Sequence, residues 1–173
     1  RTQDKNTDKT SKALFAVADT PEKILKIPQE KLETLIFSSG YYKNKAKTIK
    51  HVSKVILEEY NGMVPEDLES LMSIKGIGRK TATITRVFGF GKADCIPVDV
   101  HVFILSNRLG WVKTKTPEKT EEELMKIIPK EYWFEINTLF VLYGKEICQT
   151  NSPFCSKCVI RKDCKRIGVK RSR

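Results

Sequence analysis

The chain has 173 residues, of which 40% are hydrophobic, and 32 Lys and Arg against 21 Asp and Glu give a net charge of +11. This composition excludes a disordered chain, and no apolar run approaches the roughly 18 residues that a membrane-spanning helix needs. No secretory signal is visible, and the positive charge favours polyanionic partners such as nucleic acid or an anionic membrane, although lysine-rich helices are also simply soluble.

Helical periodicity runs through nearly the whole sequence, without the sustained alternation that is typical of strands. Thr20 and Thr116 each precede a proline, which predicts an N-cap followed by the first helical residue. Gly40 is expected to end a helix and Pro65 to begin one. The predicted helices span residues 8–18, a short segment after Thr20 that stops near 28, a second ending near 39, then 42–60, 65–74, 79–87, 100–109, 117 to about 129, and 131–147. The predicted fold class is all-α.

Residues 73–80 join two of these helices through a tight Gly-x-Gly turn. Gly76 and Gly78 allow positive φ and the close approach of another molecule to the backbone. Their amides, with the N-terminus of the helix that starts near Arg79, suit a backbone phosphate, and such contacts position DNA without reading its sequence. A plain turn between helices is the alternative interpretation, and the surrounding basic residues favour phosphate.

Lys80 and Asp99 are the candidate catalytic residues. Lys80 lies in the first turn of its helix, where the helix dipole and nearby positive charge favour the neutral amine of a Schiff-base nucleophile. Contact with a phosphate is its alternative role. Asp99 precedes an apolar helix and is expected to be its N-cap, which also holds a carboxylate ready to face developing positive charge. His101 is expected to be structural.

Four cysteines with the spacing Cys-x6-Cys-x2-Cys-x5-Cys lie within residues 148–164, and Cys95 stands alone. Because intracellular proteins rarely use disulfides, this group indicates a metal site, either zinc or an iron-sulfur cluster. One compact loop mildly favours iron-sulfur, since zinc sites usually pair two short Cys-x-x-Cys units. The candidate ligands are Cys148, Cys155, Cys158 and Cys164. Lys157 and its basic neighbours make the loop a candidate phosphate contact, and Cys95 is expected to be a buried apolar residue.

These motifs together resemble the helix-hairpin-helix DNA glycosylase superfamily. Residues 74–82 resemble its hairpin, and Val-Asp-Val-His at 98–101 resembles its catalytic aspartate motif. The cysteine loop, with the segment at residues 40–46, resembles the endonuclease III branch of that superfamily. The resemblance covers the whole chain.

The resemblance implies a two-lobed all-α fold with a cleft between the lobes. A six-helix barrel domain would span residues 1–93 and carry the hairpin at about 65–88. An iron-sulfur cluster domain would span residues 94–173, without the N-terminal helix that this domain has in the family. The lysine and the aspartate would face each other across the cleft.

The implied function is that of a base-excision repair DNA glycosylase with AP lyase activity. Such an enzyme flips damaged, in particular oxidised, pyrimidines from duplex DNA, and Lys80 would be its nucleophile and Asp99 its catalytic aspartate. A [4Fe–4S] cluster would be held by the four cysteines. Relatives that act on adenine or thymine mismatches commonly carry Ser or Tyr at the lysine position, so Lys80 favours lyase chemistry. The alternatives are a monofunctional mismatch glycosylase and a non-enzymatic DNA-binding module.

The expected partner is double-stranded DNA with damaged bases or abasic sites, bound by an intracellular, DNA-associated monomer without a membrane. Tyr41 is expected to fill the gap that the flipped base leaves. The family's glutamine wedge would fall near residues 1–3, where the pattern does not fix its position. The residues expected to contact DNA are Lys75, Gly76, Ile77, Gly78, Arg79, Tyr41 and Lys157.

Overall fold

The structure, a computed structural model, describes residues 4–173, and the side chains from residue 6 onward. The prediction of a glutamine wedge near residues 1–3 lies outside this part of the chain. Within it there are nine α-helices and no strand, which confirms the all-α fold class. The helices are α1 (Asp4–Phe15), α2 (Pro21–Lys26), α3 (Gln29–Leu35), α4 (Tyr42–Glu59), α5 (Leu68–Ser73), α6 (Arg79–Ile84), α7 (Val100–Leu109), α8 (Pro117–Ile127) and α9 (Trp133–Glu146). None of these helices is both long and apolar enough to cross a bilayer.

The chain forms two compact units, Arg1–Ile77 and Gly78–Arg173, that divide within the hairpin. They are regions of dense internal packing, so the domain boundary expected between residues 93 and 94 stays a prediction.

In the first unit, the long helix α4 packs against α2 and α3, and α1 packs against α3. Apolar side chains from these helices and their connections form its core, which stabilises the unit by removing that surface from water. The buried core residues are Leu14, Ala18, Ile27, Leu32, Ile36 and Ala46.

In the second unit, α7 packs against both α8 and α9. Close contact with α9 depends on Gly144, because a Cβ atom there would lie 2.4 Å from Nδ1 of His101. His101 is only 5% exposed, so its predicted structural role is consistent with its place in the helix interface. The buried core residues of this unit are Ile96, Val98, Val102, Val112, Leu124 and Ile136.

The cap predictions at Thr20 and Thr116 are confirmed, since each side chain accepts a hydrogen bond from the backbone N–H three residues later. The prediction that Pro65 begins a helix is wrong. Helix α5 begins at Leu68, because Asp67 is its N-cap and its carboxylate accepts from the N–H of Ser70 over 2.8 Å.

Several predicted helix ends also differ from the structure. The first helix spans Asp4–Phe15 rather than 8–18, and α3 ends at Leu35 rather than near 39, since turn hydrogen bonds replace the helical ladder beyond it. Helix α6 passes at Thr85–Gly89 into a π-helical turn, and a 3₁₀ turn at Lys130–Tyr132 precedes α9.

Candidate active site

Lys80 lies in the first turn of α6, which begins at Arg79 after Gly78 as its N-cap. Its side chain is exposed, and the chain before it is extended, with φ −91° and ψ 171° at Gly78. Of the two glycines that allow a positive φ, only Gly76 adopts one, with φ +101°. Lys80 thus projects from the start of a short helix.

Asp99 is the N-cap of α7, as predicted. One carboxylate oxygen, Oδ1, accepts hydrogen bonds from the backbone N–H groups of His101 and Val102 over 2.8 and 2.9 Å. The other, Oδ2, accepts no hydrogen bond within the part of the chain described. The cap fixes the carboxylate through one oxygen and leaves the second available to a ligand.

Lys80 and Asp99 line the same cavity, which has a volume of about 310 Å³. The cavity lies within the second unit, and six of its eleven lining residues are charged, so it offers both cations and carboxylates to a ligand. A second lysine, Lys115, lines it as well. The remaining lining residues are Arg79, Thr83, Val98, Val100, Phe103, Pro117, Glu118 and Glu121.

Glu121 is a functional candidate that sequence reasoning missed. Its side chain is only 4% exposed, and it accepts hydrogen bonds from Nε and Nη2 of Arg79 over 2.7 and 2.9 Å. The hydrogen bonds to this carboxylate raise the pKa of Arg79 above its ordinary value. In the sequence, Glu121 lies on the same helix face as Thr120 and Leu124, which are buried. A carboxylate on that face indicates a buried charge that needs a partner. The predicted phosphate contact of Arg79 therefore involves a guanidinium already bound on one edge.

The turn of the hairpin is held close to α4. The N–H of Ile77 donates to the carbonyl of Ile74 over 3.0 Å, while that of Gly76 has no partner among the residues described. A Cβ atom on Gly76 would lie 2.6 Å from Cγ2 of Thr48, so the backbone of the turn rests directly on α4.

Two further predicted DNA contacts are exposed. Tyr41 is 79% exposed and has a left-handed backbone with φ +58°, which is uncommon for a residue other than glycine. This geometry points to a side chain held out at the start of α4. Lys157 lies in the cysteine loop, with its Nζ 5.4 Å from the ring centroid of Phe154.

The four cysteines between residues 148 and 164 are free thiols that line one small cavity of the second unit. Three of their sulfur atoms, those of Cys148, Cys158 and Cys164, accept hydrogen bonds from groups that the prediction did not include. Tyr143 donates its hydroxyl to Sγ of Cys158 over 3.2 Å, and the N–H of Arg166 donates to Sγ of Cys164 over 3.4 Å. Burial and the hydrogen bond to Cys158 raise the pKa of Tyr143 to about 12. No three His, Cys, Asp or Glu side chains among residues 6–173 are grouped closely enough for a single metal ion.

Arg108 brings a buried positive charge to this loop. It is 8% exposed, and its Nη1 donates to Sγ of Cys148 over 3.4 Å and to the carbonyl of Gln149 over 2.8 Å. It forms no ion pair with a carboxylate in the described chain. Burial raises the pKa of the Cys148 thiol, and the hydrogen bond from Arg108 opposes that shift. A buried guanidinium needs an anionic partner, which a thiolate would supply.

The cysteine loop is also tied to the C-terminal end of α7. The N–H of Ile167 donates to the carbonyl of Arg108 over 3.1 Å, and Lys165 packs over Gly110, where a Cβ atom would lie 2.4 Å from Cδ of the lysine. Helix α7 therefore carries Asp99 at one end and contacts the loop at the other.

Cys95 is separate from this group. It is 2% exposed, which confirms that it is a buried residue, and burial raises its thiol pKa to about 11.

Comparison with known proteins gives consistent matches. The profile of the HhH-GPD superfamily base excision DNA repair protein matches residues 1–130. Endonuclease III of Thermotoga maritima is 46% identical over 164 residues, which are 95% of this chain and 76% of that protein. Endonuclease III of Rickettsia conorii is 39% identical over 154 residues, covering 89% of this chain and 73% of the relative.

Solved structures agree with these sequence matches. A trapped Endonuclease III–DNA covalent intermediate superposes with a TM-score of 0.89 at 37% identity, over 95% of this chain and 78% of that one. A thermostable thymine-DNA glycosylase superposes with a TM-score of 0.83 at 23% identity, over 96% of this chain and 78% of the other, which shows the shared fold.

Proposed function

The chain belongs to the HhH-GPD superfamily of base excision DNA repair proteins, and we propose that it excises damaged pyrimidines from duplex DNA as an endonuclease III-type glycosylase with AP lyase activity. The observation that carries this proposal is that Lys80 and Asp99 line one cavity. The similarity to a trapped Endonuclease III–DNA covalent intermediate supports covalent chemistry of this kind. The lesion, a pyrimidine and in particular an oxidised one, is the finer part of the proposal, since the shape of a pocket decides base choice.

In the proposed reaction, the damaged nucleotide is flipped out of the duplex, and Tyr41 fills the gap in the stack. The Nζ lone pair of Lys80 forms a bond to C1′ while the glycosidic bond breaks. The electron pair of the glycosidic bond leaves with the base, which takes up a proton. The Asp99 carboxylate stabilises the positive charge that develops on the sugar. Its free Oδ2 is suited to this role because Oδ1 is occupied by the cap.

The bond between C1′ and O4′ then breaks, O4′ takes up a proton that Nζ of Lys80 loses, and a Schiff base forms between Nζ and C1′. The iminium acidifies the proton at C2′, and its removal breaks the bond between C3′ and the phosphate oxygen, so the strand is cut 3′ to the lesion. Water finally hydrolyses the Schiff base and returns the free amine.

We also propose that Cys148, Cys155, Cys158 and Cys164 hold a [4Fe–4S] cluster. The donor set fits such a group, because thiolate ligands are anionic and Arg108, Tyr143 and the N–H of Arg166 all donate towards these sulfur atoms. When bound, the cluster would cross-link the loop, and no step of the reaction needs it.

Analysis of the purified protein for iron, acid-labile sulfide and zinc tests the assignment of the cluster to the four cysteines. Four irons per chain with a broad visible absorption band supports it, and stoichiometric zinc refutes it.

Borohydride trapping on an abasic-site duplex tests the enzymatic proposal. The intact protein should form a covalent adduct, Lys80→Ala should abolish it, and Lys113→Ala, which changes an exposed lysine outside the cavity, should keep it. Because Lys115 lines the same cavity, mass spectrometry of the trapped peptide must identify the attacking residue.

The outcomes separate the alternatives. Base release without an adduct or strand cleavage identifies a monofunctional glycosylase. Duplex binding with neither reaction identifies a non-enzymatic DNA-binding module. A panel of damaged duplexes, with base release and nicking measured separately, identifies the lesion, and size-exclusion chromatography with light scattering tests the proposed monomer.

A further inference from the structure

A basic cleft lies in the first unit, where α4 passes beside the turn of the hairpin. It has a volume of about 450 Å³ and is lined by Asn44, Lys47, Thr48, His51, Lys75 and Gly76. Four of these residues belong to α4, and they recur at helical spacing, so they share one face of the helix. The hairpin prediction included Lys75 and Gly76, whereas the residues of α4 were not among the predicted DNA contacts.

The shape of this cleft is fixed by a close backbone contact. Because Gly76 has φ +101° and its missing Cβ would lie 2.6 Å from Cγ2 of Thr48, the turn can rest on α4 only with glycine at this position. The distance between the turn and the helix face is therefore set by packing rather than by mobile side chains.

The charge of the cleft is unbalanced. Lys47, His51 and Lys75 are exposed, none has an ion-pair partner in the part of the chain that the structure describes, and no carboxylate lines the cleft. By contrast, Lys54 on the same helix lies 3.7 Å from the carboxylate of Glu58. Basic side chains that line one cleft without an acidic partner attract an anion, and the Asn44 amide adds a neutral donor.

We propose that this cleft binds a backbone phosphate of duplex DNA, in addition to any phosphate held by the hairpin itself. The inference rests on the proposed function for the identity of its ligand, a nucleic acid phosphodiester. Lys47 supplies the charge, His51 and Asn44 donate hydrogen bonds, and the turn closes one side. Because Lys47 and His51 are one helical turn apart, they contact a single phosphate, or the oxygens of two adjacent phosphates, along α4.

Duplex binding at several salt concentrations tests this proposal. Binding of a duplex with a non-cleavable abasic analogue is measured by fluorescence anisotropy for the intact protein, Lys47→Ala, His51→Ala and the matched control Lys54→Ala. The slope of log K against log salt is negative, and each lost phosphate contact decreases its magnitude by about 0.9. We expect that decrease for Lys47→Ala, weaker binding with a smaller slope change for His51→Ala, and a near-unchanged slope for Lys54→Ala.

Wild-type slopes for both cleft variants, or an equal decrease for Lys54→Ala, would overturn the proposal. A free phosphate ion is the other source of this ligand chemistry, so the amide spectrum is recorded with inorganic phosphate and with duplex. If the amide signals of Gly76 and His51 shift with inorganic phosphate but not with duplex, the proposal is also overturned. Failure of the proposed enzymatic function is seen separately, as absence of a borohydride adduct in the intact protein at saturating duplex.

Discussion

Arg79 and Glu121 form a bidentate ion pair that joins the start of α6 to α8. Nε and Nη2 of the arginine donate to the two carboxylate oxygens over 2.7 and 2.9 Å. The two members are unequally exposed, at 38% for the arginine side chain and 4% for the glutamate. Lys80 follows Arg79 directly, so this pair anchors the residue next to the proposed nucleophile.

Because the two side chains are unequally exposed, we expect removal of Arg79 and removal of Glu121 to lower the free energy of unfolding by different amounts. Arg79→Met leaves a buried carboxylate without its partner and should lower the free energy of unfolding by about 3–5 kcal/mol. Glu121→Gln leaves a guanidinium that can turn towards water and should cost only about 1–2 kcal/mol. Urea denaturation followed by circular dichroism measures both, and equal costs would contradict the prediction.

Asp99 allows the cap and the chemistry to be separated. Asn caps a helix as well as Asp does, so Asp99→Asn should change the free energy of unfolding by less than about 0.5 kcal/mol, whereas Asp99→Ala should cost about 1 kcal/mol. Both variants should lose base release by about 100-fold or more, since both lack the carboxylate. Normal base release by Asp99→Asn would show that the residue is only a cap.

Gly144 should tolerate no side chain. Alanine at this position brings a Cβ within 2.4–2.9 Å of Nδ1, Cγ and Cβ of His101, atoms that cannot move without shifting α7 against α9. Despite the better helix propensity of alanine, we expect Gly144→Ala to cost about 1–3 kcal/mol. Gly89→Ala is the matched control, because its nearest side-chain contact would be at 3.8 Å. Thermal unfolding of both variants decides the matter.

The contact between Gly76 and Thr48 predicts a partial rescue. Gly76→Ala suffers both the positive φ and the clash with Cγ2, and should cost about 1–3 kcal/mol or more. Thr48→Ser removes the clashing methyl group, so the double variant should recover the steric part while the backbone strain remains. A double-mutant cycle on the free energy of unfolding measures this coupling. Additive effects would show that the turn does not rest on α4.

Cys95 predicts a loss of stability in alkali. Burial raises the pKa of this thiol in the folded chain to about 11, above its ordinary value of 9.0, so between these values the folded chain keeps a proton that the unfolded chain loses. The contribution of Cys95 to the free energy of unfolding is therefore fully present below pH 9. Above pH 9 the free energy of unfolding falls by up to about 1.4 kcal/mol per pH unit. The difference between the intact protein and Cys95→Ala, measured by urea denaturation from pH 8 to 10.5, isolates this effect. Parallel pH curves would contradict it.

Features that depend on neighbouring residues in sequence could be predicted well. The N-caps at Thr20, Thr116 and Asp99 each need only a side-chain oxygen and an N–H two or three residues later. Pro65 misled the prediction because Asp67, a stronger start signal, follows it two residues later.

The parts of the site that join distant residues could not be predicted. Glu121 lies 42 residues from Arg79, and Arg108 lies 40 residues from Cys148. Nothing in the local pattern pairs them, since a buried charge in an amphipathic helix shows that a partner exists but does not identify it. Gly78 stands out in the sequence for its freedom to adopt a positive φ, but its backbone is extended, so its backbone angles do not require glycine.

Helix α7 makes the cysteine loop and Asp99 mechanically interdependent. The ten residues of α7 form about 15 Å of continuous helix, with the capping carboxylate at its N-terminal end and the carbonyl groups of Arg108 and Leu109, which hold the loop, at its C-terminal end. A change in the loop that breaks these backbone hydrogen bonds would free the C-terminal end of the helix whose N-terminal end is capped by Asp99. A substitution in the cysteine loop can therefore affect the cavity without changing any residue that lines it.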